Sequence, residues 1–100
     1  MAASHLQVIA HYFALPGNGD KVCALLAELA AATRGEPDNL YYDFFRSPAQ
    51  RDHFVILEKY RNAQGLDRHR ESAHFQRLGF GAIIPLLDRR EVSSHTVGAD

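Results

Sequence analysis

Apolar and polar residues repeat with a period of two in four stretches of this chain, and with a helical period in three others. Residues 6–15 read as a strand: Val8, Ala10, Tyr12 and Ala14 share one face, and Ile9, His11 and Phe13 the other. Both faces carry bulky residues, so both are expected to be at least partly covered. Pro16, Gly17, Asn18 and Gly19 end the strand in a turn. Residues 20 to about 34 read as the best helix, with Val22, Leu25, Leu26, Leu29 and Thr33 in one stripe. Asn18 or Asp20 is the expected N-cap. Gly35 stands where a C-terminal glycine belongs, and Pro37 prevents continuation.

A second strand is expected over 40–47, with Leu40, Tyr42 and Phe44 opposite Tyr41, Asp43 and Phe45. A third is expected over 53–61, with Phe54, Ile56, Glu58 and Tyr60 opposite Val55, Leu57 and Lys59. The polar loop between them has hairpin length, so the two should pair antiparallel. Asn62 can cap a short helix to about residue 70. Ser72 can cap another that buries Phe75, Leu78, Ala82 and Ile83 and ends at Pro85. Residues 86–95 read as a weaker strand. Asp88, Arg89, Arg90 and Glu91 interrupt its apolar pattern, which suits a sheet edge. Residues 97–100 read as a loose tail.

The order β-α-β-β-α-β is the ferredoxin-like α+β arrangement, an antiparallel sheet with helices on one face. One hundred residues, 46% of them hydrophobic, suffice for a single domain over 1–100 with its core at about 6–95. Helices on one face leave the other sheet face apolar and uncovered, which predicts a homodimer packed sheet on sheet. Charge narrows the partners. Eleven basic residues against twelve acidic ones give no electrostatic footprint for nucleic acid. No apolar run approaches the ~20 residues of a membrane span, and the first five residues lack a signal-peptide pattern. The single cysteine, Cys23, next to the stripe of an alanine-rich helix, reads as a buried, inert thiol in a reducing compartment, so a cytoplasmic location is expected.

Candidate chemistry gathers after residue 57. Glu58 interrupts an apolar strand face, which marks either a site or an ion pair with Arg61, Arg68 or a partner subunit. His69 suits acid–base work near neutral pH, and equally a helix end stabilised by the dipole. His74 follows five residues later and cannot share a helical face with His69 as a zinc pair spaced by four would. It reads equally as a surface or packing histidine of the second helix. His11, Glu58 and His69 could imitate a two-histidine, one-carboxylate metal set, but no spacing supports it, so no metal is expected. There is no phosphate loop, nucleophile elbow or CxxC, and Gly79-Phe80-Gly81 follows a helix, not a strand.

Several motifs together carry a resemblance. They are Val8-Ile9-Ala10 with Pro16-Gly17, Thr33-Arg34-Gly35-Glu36-Pro37, Leu40 and Tyr42 with Arg46-Ser47, Phe54 to Glu58 with Tyr60, His69, Ser72-Ala73-His74-Phe75, and Pro85-Leu86-Leu87. In that order and spacing, over about residues 6–95, the chain resembles the antibiotic biosynthesis monooxygenase (ABM) superfamily, particularly its quinol monooxygenase-like members. The resemblance implies a dimeric α/β barrel, two sheets back to back, with a mostly apolar cavity between sheet and helices in each subunit. It implies oxygenation of an aromatic quinol or phenol by molecular oxygen without metal, flavin or haem. The substrate supplies the electrons, and the protein removes a proton, excludes water and orients. Glu58 and His69 match the motif's strand glutamate and helix histidine. His69 is the expected base, and Glu58 the group that orients it or holds it charged. His74 matches a second histidine, and Tyr42 a strand tyrosine able to hydrogen-bond a phenol. His11, from its apolar-flanked strand, is expected to line the same cavity, as is Tyr60. Many members carry tryptophan where this chain has Tyr60, and the haem-degrading branch has asparagine close to the His11 position, so haem degradation is disfavoured. Two other functions use the same groups: isomerisation or epimerisation of a small carbonyl compound, and non-enzymatic binding of a small molecule by a dimeric accessory protein.

Overall fold

The computed structural model describes residues 4–98. Along the chain run β1 (His5–Ala14), α1 (Gly19–Thr33), β2 (Asn39–Arg46), β3 (His53–Tyr60), α2 (Ala63–Glu71), a π-helical segment labelled α3 (Phe75–Ile83), and β4 (Leu87–Val97). A 3-10 turn, Ile84–Leu86, joins α3 to β4. The N-terminal stretch 1–5 and the tail 97–100 fall partly outside the described residues; Val97 itself still belongs to β4.

The strands form one antiparallel sheet in the order β2-β3-β1-β4, the expected ferredoxin-like topology. The interior strands β1 and β3 bury one face completely. Val8, Ala10, Tyr12 and Ala14 alternate with half-buried neighbours, as do Phe54, Ile56, Glu58 and Tyr60. The main core sets Ala10, Tyr12, Ala14, Phe54 and Ile56 against Val22, Leu26 and Leu29 of α1 and Phe75, Leu78 and Ile83 of α3. A smaller cluster of Val8, Tyr60 and Leu66 lies under α2. All three helices therefore cover the same sheet face. The opposite face remains open, with Tyr41 and Phe45 exposed and Ile9, Phe13, Val55 and Leu57 only half-buried.

Turn chemistry explains the strand and helix ends. Pro16 and Gly17 occupy the centre of a turn closed by a hydrogen bond from the Asn18 N–H to the Leu15 carbonyl (3.0 Å), and Gly17 takes a φ of 86°. Asn18 precedes α1, but its side chain makes no capping bond. Asp20 does not cap either; its carboxylate accepts from Arg46 at 2.8 Å. Gly35 has no left-handed φ, and α1 ends in a tight turn in which the Gly35 N–H meets the Ala32 carbonyl. By contrast, Asn62 caps α2 as expected, its side chain accepting the Gly65 N–H at 2.9 Å.

Two local departures reshape the site. A register shift between Asn39 and Tyr41 puts a bulge at Leu40, which is exposed instead of sharing the buried face of Tyr42. In α3 the wider π-helical turn brings Phe75, Gly79 and Ile83 inward at four-residue intervals, so Gly79 is buried where Ala82 was expected. Gly79 has no room for a side chain: a Cβ there would lie 2.8 Å from the Phe75 ring.

Candidate active site

Strand parity and register place the polar groups. Glu58 lies on the interior strand β3, between Val8 of β1 and Tyr42 of β2, with its side chain toward the helices. It is 8% exposed. Tyr60, two residues on and on the same face, donates its hydroxyl to Glu58 Oε1 at 2.6 Å. The expected pairing of Glu58 with Arg61 or Arg68 does not occur, because both arginines turn to Asp38. Burial raises the Glu58 carboxyl from 4.5 to about 7, against the Tyr60 hydrogen bond, which pulls it down.

His69 closes the site from above. It faces inward from the last turn of α2 and is 2% exposed. Its Nδ1 meets Glu36 Oε2 at 2.8 Å, and its Nε2 faces Glu58 Oε1 at 3.7 Å. Phe75, Tyr60 and Tyr42 surround the ring, with centroids 4.8, 5.4 and 6.0 Å away. Burial lowers the His69 pKa below its usual 6.5, while the hydrogen bond and charge of Glu36 pull it back up. His69 is thus neutral at neutral pH, with the Nδ1 proton directed to Glu36. Its Nε2 is left bare toward the cavity, ready to act as a base. The 3.7 Å approach to Glu58 is then no ion pair at neutral pH, since the imidazole is uncharged.

Glu36 is the site residue that periodicity missed. It lies in the loop between α1 and β2, where no repeating pattern assigns a direction. The one available signal was its place in the Thr33-to-Pro37 motif. The chain breaks at Ser72, whose backbone turns extended, so His74 can swing back and set Nε2 on the same Glu36 oxygen. Ser72 secures that break: its hydroxyl donates to the His69 carbonyl at 2.6 Å and accepts the Phe75 N–H at 3.2 Å.

Of the sequence-predicted site residues, Glu58, His69, Tyr60 and Tyr42 come together. His74 joins them through Glu36. His11 does not. It pairs in register with Val55 on the open sheet face, and its Nδ1 lies 2.9 Å from His53 Nε2. The expectation that His11 lines the cavity fails on strand parity: Ala10 and Tyr12 point to the helices, so His11 cannot. The same parity removes the metal set of His11, Glu58 and His69.

A different set, Glu36, His69 and His74, brings three donor atoms within 4.8 Å of one another, the donor types of a divalent transition-metal site. Its geometry is that of hydrogen bonds. One carboxylate oxygen serves both imidazoles at 2.8 and 2.5 Å, closer together than donors spread around a metal with bonds of ~2.1 Å.

The cavity beside His69 and Glu58 is lined by Val8, Ala10, Tyr12, Leu66, Phe75 and Val92, with Arg70 and Arg90 at its exposed side. Its volume is about 30 Å³, enough for roughly one water and too small for an aromatic ring without side-chain movement. Burial and the Glu58 charge push the Tyr12 hydroxyl up to about 12, so it stays protonated as a donor.

Known proteins share this arrangement of elements. The sequence profile of the family described as Antibiotic biosynthesis monooxygenase matches residues 6–78. "Putative monooxygenase Rv0793" of Mycobacterium tuberculosis is 35% identical over 90 residues, covering 90% of this chain and 86% of that protein. A shorter match to "Putative monooxygenase YcnE" of Bacillus subtilis is 38% identical over 48 residues, 48% of this chain and half (50%) of that relative's length. The crystal structure of PA3566 from Pseudomonas aeruginosa superposes with a TM-score of 0.88 at 27% identity, covering 99% of each chain.

Glu58 links the site to stability. Its carboxyl titrates at about 4.5 when unfolded and about 7 when folded, so the native state holds the proton more tightly. The stability this gives is fully present below about pH 4.5 and is lost as pH rises to about 7, a change on the order of 3 kcal/mol. Glu58→Gln is expected to abolish this slope in urea denaturation. It should be more stable than the parent at pH 8 and no more stable near pH 4.5. An unchanged pH slope in the variant would show that Glu58 is not the titrating group.

Proposed function

This chain belongs to the antibiotic biosynthesis monooxygenase family, and from that membership we propose that it oxygenates an aromatic phenol or quinol with molecular oxygen, His69 acting as general base and no cofactor taking part. The observation that carries the reading is the buried His69 imidazole, its Nδ1 on Glu36 and its Nε2 free toward the cavity. A carboxylate on the far nitrogen selects the tautomer and stabilises the imidazolium that forms, as in other histidine bases.

For a phenol with a free para position the steps balance without an external reductant. The hydroxyl proton passes to His69 Nε2. The anion gives an electron to oxygen, and the resulting pair combines into a C–O bond at the para carbon. The imidazolium returns its proton to the peroxide. His69 then removes the para C–H proton, the O–O bond breaks, and the departing hydroxide takes that proton as water. One phenol and one oxygen molecule give one para-quinone and one water. The protein supplies the base, a dry pocket and a hydrogen-bond donor, Tyr12, near the developing anion, while the Tyr60 hydroxyl stays on Glu58. Tyr42 and His74 hold the base from either side, Tyr42 against its ring and His74 through Glu36.

The reading includes a homodimer through the open sheet face. Phe45 there is 53% exposed, and Tyr41, Ile9, Phe13, Val55 and Leu57 extend the apolar surface around it. Cytoplasmic action completes it, since the lone Cys23 needs no oxidising compartment. No helix among the described residues is long and apolar enough to cross a membrane.

Oxygen uptake with 1-naphthol and related phenols with a free para position tests the reaction. With ¹⁸O₂, one label should enter the quinone and one the water, and His69→Ala should lower turnover by roughly 100-fold or more while the fold persists. Hydrogen peroxide formed in step with the quinone, or unchanged turnover in the variant, would contradict the mechanism. Sedimentation should give twice the 11.2 kDa chain mass, and Phe45→Asp should shift it toward the monomer; a parent that sediments only as monomer would remove the dimer.

A further inference from the structure

We infer that the substrate of this site is a fused-ring aromatic anion, with a carboxylate on the ring remote from its reacting hydroxyl and the position para to that hydroxyl free, and that Arg70 and Arg90 hold the carboxylate at the cavity mouth. The inference rests on the cavity being the reaction site proposed above.

Three observations carry it. First, the arginines of the described chain divide sharply. Arg34, Arg46, Arg51, Arg61, Arg68 and Arg89 each lie within 4.0 Å of an aspartate or glutamate oxygen. Arg70, Arg77 and Arg90 have no such partner among the described residues. Two of these three line the same cavity, although they come from different elements, α2 and β4. Second, the register of β4 sets Arg90 opposite Tyr12 of β1, so its side chain rises on the helix-covered face, toward α2. The neighbouring Arg89 points to the open face and stacks on Phe13. Third, the cavity of about 30 Å³ must open to admit a ring. Val8, Ala10, Tyr12, Leu66 and Phe75 are buried and close-packed, whereas Arg70 and Arg90 are exposed. The way in that disturbs least packing runs between the two guanidinium groups.

A ring entering that way points its leading hydroxyl at His69 and leaves its trailing end between two planar donors. Guanidinium groups match carboxylates through paired N–H bonds, and such charge-assisted bonds are strong. A neutral trailing end would leave both guanidinium groups without a carboxylate partner.

The test is calorimetric titration of the full chain, under nitrogen so that no turnover occurs, with 5-hydroxy-2-naphthoate and with 5-hydroxy-2-naphthamide. The two probes share ring and hydroxyl and differ in charge. The acid should bind at least about tenfold more tightly, and added salt should weaken it alone. The doubly substituted Arg70→Gln/Arg90→Gln chain should bind acid and amide alike, while Arg77→Gln should keep the preference. Equal binding of the two probes, binding of neither, or a preference that survives the double substitution would overturn the inference. Binding is read without oxygen, so its outcome stands apart from the reaction: acid preference without oxygen uptake would remove only the oxygenase reading, and uptake without acid preference only this one.

Discussion

An imidazole withdrawn from water, with one nitrogen committed to a carboxylate, governs the rest of this structure. His69 is almost wholly buried, and burial alone would leave it a weak base with its tautomer unspecified. The Glu36 oxygen at 2.8 Å resolves both problems, since it accepts the Nδ1–H hydrogen bond and favours the charged form. Everything nearby serves that contact. The Ser72 break ends α2 at the turn that carries His69, and His74 anchors Glu36 from the second side. The π-helical course of α3, with no side chain at Gly79, gives Phe75 the space to lie against the imidazole.

The second buried carboxyl acts in the opposite sense. Glu58 lies on an interior strand at the seam between the main core and the small cluster under α2. Its one close hydrogen bond, from Tyr60, does not offset the loss of water, so it holds its proton up to about pH 7. Two carboxyls flank one imidazole, one bonded to it and one facing its free nitrogen at a distance. Environments that separate two such groups are a usual means of assigning proton-transfer roles. The carboxylate that orients His69 is therefore Glu36, and Glu58 is a neutral or shared-proton neighbour near pH 7.

The sheet was legible in the sequence because its signal is periodic. Alternation along residues 6–15 and 53–61 identified the buried faces, and the interruption at 88–91 identified the edge strand. The helix-side direction of Glu58 and Tyr60 followed from the same parity. The same parity separates His11 from Ala10 and Tyr12, so it also bears against His11 at the cavity. What escaped the pattern was aperiodic. Glu36 is in a loop, the Leu40 bulge is one residue of slippage, and the π-helical course of α3 depends on the hydrogen bonds it makes. A spacing of five denies His74 and His69 a shared helix face. The pair meets through a third residue, a route that spacing along one helix does not describe.

The central claim is that Glu36 fixes His69 with its proton on Nδ1 and its Nε2 bare. Nitrogen-15 imidazole spectra at pH 7.5, assigned by comparison with His69→Ala, measure that directly. The account predicts a neutral His69 in the Nδ1–H form, and loss of that single form in Glu36→Gln. A proton on Nε2 in the parent protein, or a spectrum indifferent to the Glu36 substitution, would contradict it.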